Sequence, residues 1–190
     1  MDGRCDWCGA EPIYTDYHDH EWGVPEYDSR ALFEKLILDG FQAGLSWLTI
    51  LKKRDNFRAA FDEFQPEIIA RYTQNDVERL LGNAGIIRHR GKIEATIGNA
   101  QAWLKIEEAQ GFDTYLWDYV NGKPISNHFR TMAEVPTKTS LSEQISKDLK
   151  KDGFKFCGPT IVYAFMEAVG MANDHMITCP RHGEVSKLAR

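Results

Sequence analysis

Helix-start signals recur along this chain of 190 residues, and they restrict its fold more than any other feature. Asp28 or Ser29 precedes apolar residues spaced three and four apart, which is the pattern of one buried helix face. Thr73 and Asp76 have the spacing of a capping box. No alternation of strands and helices accompanies these signals. The pattern predicts an all-α fold, with further helices at about Ser46 to Phe61, at Pro66, from about Arg88 to Ala109, over Asp113 to Val120, from a capping box of Ser140 and Glu143 to Gly153, and from Pro159 to Gly170.

Length and composition are those of one globular domain, which we expect to span residues 1–190. Its helical core is predicted at about 28–170, between an irregular N-terminal segment, 1–27, and a C-terminal one, 171–182. No apolar run approaches the ~18 residues of a membrane-spanning helix. Met1 to Cys5 lacks the apolar core of a signal peptide, so we expect a cytoplasmic monomer without a membrane partner.

The net charge of −5 does not by itself suggest a nucleic-acid partner. Basic residues nevertheless cluster at Lys52 to Arg54, at Arg88 to Lys92, and between Lys147 and Lys155. Each cluster is compatible with a solvated helix face. Together they are compatible with a local positive surface that binds DNA.

The segment from Leu38 to Trp47 places a carboxylate, two glycines and three large apolar side chains close together. Ser46 has the character of an N-cap for a helix that begins at Trp47. We interpret the segment as a tight bend between two helices, in which Gly40 and Gly44 allow close approach of a ligand. The alternative is a helix–helix corner whose aromatic side chains fill the core.

Cysteine and histidine residues are concentrated near both ends of the chain. Cys5, Cys8, His18 and His20 lie near the start, and His175 and Cys179 lie near the end. Two ligands from each end would form a tetrahedral zinc site, which is structural when four protein ligands close the shell. The alternatives are a catalytic zinc with three ligands and a set of residues that binds no metal. Cys157 fits a small buried apolar residue.

A short glycine-containing segment, Asn83 to Ile87, separates two predicted helices, and basic residues follow it directly. This arrangement has the form of a helix-hairpin-helix. Backbone N–H groups at such a turn can hold a DNA phosphate. A helical hairpin that binds nothing is the alternative.

Five segments occur in one order along the chain: YHDHEWG at 17–23, QAGLSW at 42–47, AGIIRHRGK at 84–92, GFKF at 153–156 and NDH at 173–175. Together they closely resemble the 3-methyladenine DNA glycosylase I family, a bacterial branch of the helix-hairpin-helix DNA glycosylases. The resemblance covers the chain from Cys5 to Cys179. It implies a helical fold in which one structural Zn²⁺ joins the two termini, with Cys5, His18, His175 and Cys179 as ligands.

The resemblance also implies the roles of several side chains. Asp39 would read the damaged base, and it stands where the family pattern usually has the longer Glu. Tyr17 and Trp47 would stack on that base, within a pocket completed by Tyr14, Trp7 and Trp22. The residues expected to contact double-stranded alkylated DNA are Gly44 and Leu45, which would fill the gap left by the flipped base, and Gly85, Arg88, Arg90 and Lys92 of the hairpin.

The chemistry expected of such a site is hydrolysis of a glycosidic bond. An adenine methylated at N3 carries a positive charge while it is attached to deoxyribose, so the leaving group needs no protonation. Electron-rich rings and a buried carboxylate suit this cation. Neither a catalytic Asp just after the hairpin nor a lysine nucleophile is implied, so strand cleavage is not expected.

Two functions of other classes compete with excision of 3-methyladenine. A zinc-stapled DNA-binding module without catalysis would use the hairpin alone, but it leaves Tyr17, Asp39 and Trp47 without a role. A zinc hydrolase would need an open metal position, which four protein ligands do not provide.

Overall fold

The structure, a computed structural model, describes residues 3–188. It confirms the predicted all-α class. Its α-helices are α1 (Pro12–His20), α2 (Ser29–Gln42), α3 (Trp47–Leu51), α4 (Arg54–Ala60), α5 (Pro66–Ile69), α6 (Gln74–Leu81), α7 (Arg90–Gln110), α8 (Phe112–Trp117), α9 (Ser140–Lys151), α10 (Pro159–Ala168) and α11 (Pro180–Val185). Short 3-10 helices lie at Asp6–Cys8, Asp62–Phe64, Asp118–Val120 and Met132–Glu134.

Helix α2 is the element around which the others pack. Its N-cap is Asp28, whose side chain accepts hydrogen bonds from the backbone N–H groups of Arg30 and Ala31. The apolar stripe predicted for it is buried, with Leu32 and Phe33 fully inaccessible. Helices α3, α7, α8 and α10 all contact α2. Most of α2 after its first turn is therefore buried in the middle of the molecule, including the segment from Leu36 to Phe41.

The bend after α2 begins later than the glycine pattern predicts. Asp39 and Gly40 lie inside α2, which ends at Gln42. Gly40 serves close packing, because a Cβ there would lie 3.2 Å from the backbone oxygen of Phe156. Only Gly44 has the positive φ, +82°, that a turn demands. Ser46 caps α3 as predicted, since its hydroxyl accepts from the N–H of Thr49.

Three other sequence expectations need correction. The single helix predicted from Ser46 to Phe61 is two helices, because the chain turns at Lys52 and Lys53 between α3 and α4. The cap of α9 is Thr139, whose hydroxyl accepts from the N–H of Ser142, rather than Ser140. Helix α7 begins two residues later than predicted, after the N-cap His89.

The N-terminal segment is not irregular as predicted, because it contains the helix α1. Two very short parallel strands, β1 (Ile125–Ser126) and β2 (Ala172–Asn173), also escaped prediction. They tie the loop before α9 to the chain that follows α10. Strands of two residues carry too little alternation to be recognised from sequence.

Gly170 lets the chain after α10 approach the segment that follows α1. A Cβ at this position would lie 2.5 Å from the backbone nitrogen of Pro25, and its φ of +72° is one that side chains rarely adopt. Backbone hydrogen bonds from Gly23 to Ala168 and from Glu26 to Val169 fasten the two segments. This contact brings both ends of the chain to the same side of α2.

The buried apolar side chains form one continuous cluster. A single domain over 1–190 stays a prediction, and residues 1, 2, 189 and 190 of that range lie outside the described residues. Within 3–188, the helices are all too short or too polar to cross a membrane.

Candidate active site

A cavity of about 190 Å³ opens between α1, α2, α3 and α10. Every residue predicted to surround or read a base lines it, so packing brings together side chains from four elements. On α1 and α2 the lining residues recur three or four positions apart, which places them on one helix face. The lining consists of Trp7, Tyr14, Tyr17, Trp22, Lys35, Asp39, Gln42, Trp47, Met132, Ala164, Glu167 and Ala168.

Aromatic rings form the wall of this cavity. The ring of Trp7 lies edge-on to Tyr14 at 5.1 Å and to Trp22 at 4.9 Å between centroids. Tyr17 and Trp47 are 5.4 Å apart. The indole N–H groups of Trp7 and Trp47 are buried and lack a hydrogen-bond partner among the described residues. The wall therefore offers a flat ligand aromatic ring faces on which it can stack and indole N–H groups that can donate hydrogen bonds to it.

Asp39 places a carboxylate at the cavity. Its side chain is 1% exposed, and Oδ1 accepts a hydrogen bond of 2.5 Å from the ammonium of Lys35. Oδ2 is buried without a partner in the part of the chain that the structure describes. Burial raises the pKa of Asp39, and the nearby Lys35 opposes that shift. A buried acceptor without a partner is costly, so Oδ2 marks where a ligand donor would bind.

Four side chains from the two ends of the chain meet beside the aromatic wall. The ligand atoms of Cys5, His18, His175 and Cys179 all lie within 4.8 Å of one another, and the four residues are buried. Cys179 Sγ is 3.6 Å from His18 Nε2 and 3.7 Å from His175 Nδ1. Sulfur and nitrogen at two corners of a tetrahedral zinc shell are about 3.5 Å apart. The donor set and its spacing thus fit Zn²⁺.

The remaining nitrogen of each histidine has an oxygen partner. His18 Nδ1 is 2.8 Å from Asp19 Oδ1, and His175 Nε2 is 3.1 Å from the backbone oxygen of Trp22. Such partners fix the ring orientation and tautomer of metal-binding histidines. The hydrogen bond between Cys179 and Cys5 lowers the pKa of the Cys179 thiol and raises the pKa of the Cys5 thiol. The pair therefore favours a thiolate at Cys179, which is the form that binds zinc.

Cys8 lies outside this cluster although it is buried nearby. Its Sγ donates to the backbone oxygen of Cys5 at 3.2 Å. The described cluster therefore contains the four residues that the resemblance implied and not Cys8. The rings of Trp22 and His175 are 4.5 Å apart, so the cluster also supports the cavity wall.

A family model for methyladenine glycosylase matches residues 7–182. The chain belongs to this family. This methyladenine glycosylase is 54% identical to DNA-3-methyladenine glycosylase 1 of Escherichia coli, over 93% of this chain and 95% of the relative. It is 50% identical to DNA-3-methyladenine glycosylase of Haemophilus influenzae, over 95% and 98% respectively.

Solved structures agree with the fold of this methyladenine glycosylase. A crystal structure of 3-methyladenine DNA glycosylase I superposes with a TM-score of 0.92 at 53% identity, over 93% of this chain and 98% of the other. The Staphylococcus aureus enzyme, whose structure describes 3-methyladenine recognition, gives 0.91 at 46% identity, over 94% and 96%. The helical fold is therefore that of the glycosylase family.

The turn before Trp47 is exposed and lies between two residues that line the cavity, Gln42 and Trp47. Gly44 and Leu45 are both exposed, and Leu45 exposes 43% of its surface although it is a large apolar residue. Nothing lies within 4 Å of a Cβ built on Gly44. An unsupported apolar side chain beside a cavity is what a wedge into a base stack requires.

The segment predicted to be a helix-hairpin-helix comprises α6, the turn at residues 82–89, and α7. Arg88 is exposed, whereas Arg90 forms ion pairs with Glu78 at 2.7 Å and Glu94 at 3.5 Å. The N–H of Gly85 already donates to the side chain of Asn83. Arg88 is thus the more available of the two predicted phosphate contacts.

The prediction that Lys92 contacts DNA needs correction. Its side chain is buried, and its ammonium donates to the backbone oxygens of Phe41 at 2.8 Å and Ala43 at 2.7 Å. These carbonyls belong to the end of α2 and the turn after it. Carbonyl groups at the end of a helix have no backbone N–H partner within the helix. Lys92 therefore links the hairpin to the rim of the cavity and is not available to a phosphate.

Sequence reasoning missed two charged residues of the cavity, Lys35 and Glu167. Lys35 lies one helical turn before Asp39, so the spacing of four could have indicated it. Glu167 comes from an apolar helix, α10, in which a lone carboxylate was the available signal. Burial, followed by the nearby Asp174, raises the pKa of Glu167 well above its usual range. Asp39 is then the principal anion of the cavity.

Proposed function

We propose that this methyladenine glycosylase flips 3-methyladenine out of double-stranded alkylated DNA and hydrolyses its glycosidic bond, leaving an abasic site. The observation that carries the proposal is the partnerless Asp39 Oδ2 at an aromatic-walled cavity. An acceptor that lacks a donor, set among electron-rich rings, suits a flat cation that carries an amino group. The names of its relatives describe enzymes that act on the same base.

The cavity would hold the extruded base by stacking and by charge. Tyr17 and Trp47 supply ring faces, each favouring a cation by roughly 0.5 to 2 kcal/mol. Asp39 Oδ2 would accept from the exocyclic amine and attract the positive charge. An unmethylated adenine lacks the positive charge, so it would bind more weakly.

The bond to be broken joins the sugar carbon to the base nitrogen. Its electron pair passes to the base, which becomes neutral, and a water molecule supplies oxygen to the sugar carbon and loses a proton. Because the leaving group is already cationic, no side chain has to protonate it. The work left to the protein is base flipping, orientation and electrostatic stabilisation.

We also propose one structural Zn²⁺, held by Cys5, His18, His175 and Cys179. A closed shell of thiolates and imidazoles would supply folding stability and no open position for water. The metal would join the N-terminal segment that bears Trp7 and α1 to the chain after α10. The N-terminal segment contributes Trp7, Tyr14 and Tyr17 to the cavity wall, so the metal would help to preserve its shape.

The test compares base release by the parent enzyme and by Asp39→Asn. We expect the parent to release 3-methyladenine from alkylated duplex DNA, detected by chromatography under single-turnover conditions. A charged hydrogen bond is worth about 1.5 to 3 kcal/mol, so Asp39→Asn should slow release by roughly 10- to 100-fold. The exposed Asp118→Asn is the matched control and should release base at the parental rate.

A DNA-binding module without catalysis is the competing function. It predicts retention of alkylated DNA by the parent protein with no released base. Full activity in Asp39→Asn, together with a lowered melting temperature, would instead mean that the carboxylate supports the fold and lies outside the chemistry.

A further inference from the structure

Lys35 already makes two of the contacts that a cationic base would make. It precedes Asp39 by one turn of α2, and its ammonium lies 2.5 Å from Asp39 Oδ1. The same nitrogen lies 4.0 Å from the centre of the Trp47 ring, within cation–π range. Its side chain is only 16% exposed. The cavity thus holds an internal cation between the carboxylate and a stacking ring.

The position of this ammonium sets up a competition. A cation stacked on Trp47 and bound to Asp39 would occupy the space and the charge that Lys35 uses. Two positive charges about 4 Å apart repel strongly inside a protein. Asp39 Oδ2 is open to a ligand donor, but a cationic base bound there and stacked on Trp47 would lie beside the Lys35 ammonium and be repelled by it. A neutral base brings no such repulsion.

A second cavity offers Lys35 another position. It has a volume of about 260 Å³ and shares Tyr17, Lys35, Trp47 and Ala168 with the first. Charged residues that line it besides Lys35 are Glu21, Glu26, Glu34, Arg54 and Arg58. Three carboxylates against two guanidinium groups leave this cavity negative when Lys35 is not counted. If the ammonium of Lys35 leaves Asp39, the second cavity offers it a negatively charged wall.

The guanidinium groups of this second cavity are already occupied. Arg54 is paired with Glu21 at 2.5 Å, and Arg58 is paired with Glu34 at 2.8 Å. Glu26 accepts from the backbone N–H groups of Tyr27 and Asp28. Burial lowers the pKa of Lys35 while Asp39 raises it, so the ammonium depends on a nearby carboxylate wherever it sits.

We propose that Lys35 is a displaceable internal counter-ion that determines specificity: it holds Asp39 until a cationic base displaces it towards the second cavity. The inference rests on the proposed function and deepens it. Bond cleavage leaves the base neutral, so the base no longer competes for Asp39. Lys35 then returns, which favours release of the product.

The test measures binding of two small probes in the absence of DNA. The cation 3,9-dimethyladeninium imitates the base with its sugar bond replaced by a methyl group, and 9-methyladenine is its neutral counterpart. We expect Lys35→Met to bind the cation at least about tenfold more tightly and to change binding of the neutral probe less than about threefold. Lys35→Arg keeps the charge and should restore parental values.

Two further variants complete the design. Lys35→Gln lacks the charge but can still donate to Asp39, so it replaces Lys35→Met if melting curves show that the latter is unfolded. In an Asp39→Asn background, Lys35→Met should no longer change the affinity for the cation, because the contested carboxylate is gone. Lys105→Met removes an exposed positive charge on α7 and is the control for net charge.

An unchanged ratio of cation to neutral affinity in both Lys35→Met and Lys35→Gln overturns the proposal. Weaker cation binding in these variants overturns it as well, since Lys35 would then be a fixed part of the pocket. Parental excision of 3-methyladenine is measured in parallel. Its absence would refute the proposed function, whereas normal excision with an unchanged ratio would refute the counter-ion alone.

Discussion

Asp39 is the residue whose surroundings matter most to the proposed chemistry. Its carboxylate is buried on a central helix, and one oxygen is held by Lys35 while the other lacks a partner among the described residues. Lys35 lies one helical turn before Asp39, so its ammonium reaches the carboxylate along the same face of α2.

The protonation of Asp39 leads to a prediction about pH. Burial raises its pKa above the ordinary carboxyl value of 3.8. The methylated nucleotide keeps its charge at all moderate pH values, so only the carboxylate changes. Excision should therefore be full above the raised pKa and fall as the pH drops through it. Single-turnover rates measured across acidic and neutral pH should show this fall in rate, which is the acidic limb of the pH profile.

The control for the pH prediction is Asp39→Asn, which should lose the acidic limb and keep its low rate throughout. Glu167→Gln distinguishes the other cavity carboxylate, whose pKa is also raised by burial. A limb that persists in Asp39→Asn and disappears in Glu167→Gln would assign the titration to Glu167.

Among the elements, the turn between α2 and α3 presents the exposed side chain of Leu45 at the cavity rim. If Leu45 fills the gap left by the flipped base, Leu45→Ala should slow release from duplex DNA by about tenfold, because unstacking is no longer compensated. Release from single-stranded DNA, which needs no wedge, should change little. Comparison of the two substrates also tests whether the duplex is the true partner.

The matched control for Leu45 is Ile68→Ala, which removes a similarly exposed apolar side chain on α5. It should leave both rates unchanged. Equal slowing on the two substrates in Leu45→Ala would show that the leucine shapes the cavity and does not enter the stack. Melting curves should not shift, since Leu45 is not packed in the core.

The hairpin of α6 and α7 gives a prediction about salt. Neutralising Arg88 and Arg90 to Gln should weaken DNA binding and reduce the dependence of log affinity on log salt by about 0.9 for each phosphate that the protein no longer neutralises. Arg88→Gln alone should account for most of the effect, because Arg90 is already paired with Glu78.

Titrations at several salt concentrations measure the slope, and Lys105→Gln on the exposed side of α7 serves as the control. The identity of the released base should stay the same in the arginine variants. An unchanged slope would make the hairpin a structural corner, held to α2 by the buried Lys92.

At the scale of the whole molecule, the Cys and His cluster joins segments that are more than 150 residues apart in sequence. We expect one equivalent of zinc in protein purified without added metal, and its loss in the double variant His175→Ala and Cys179→Ala. The melting temperature should fall with the metal, since binding free energy adds to folding free energy. Cys8→Ala, which alters a buried thiol outside the cluster, should keep its zinc.

Metal content by elemental analysis and thermal unfolding of the same samples provide the readout. A zinc content below about half an equivalent in the parent protein would refute the proposed zinc site. Full occupancy in the double variant would assign the metal to other ligands.

Local signals in the sequence identified the helical class and most helix starts. Asp28, Ser46 and Thr73 cap the helices that follow them, because a cap depends on side chains only two or three residues away. Six of the residues that line the cavity were recognised from the family resemblance, and Tyr17, Trp22 and Trp47 among them lie within its short distinctive motifs. Features of this kind can be predicted from sequence because they depend on residues that are neighbours in the chain.

Tertiary packing decided which of these groups meet. No local pattern indicates that Lys92 is buried against the carbonyls at the end of α2, or that Lys35 points at Trp47 instead of at solvent. Tertiary packing likewise brings His175 beside Trp22, close to the point where Gly170 approaches the backbone of Pro25. Burial and charge balance depend on neighbours that are distant in sequence. For that reason the sequence determined the helices and the candidate base-reading residues, and the folded structure alone determined that the ammonium of Lys35 lies between Asp39 and Trp47.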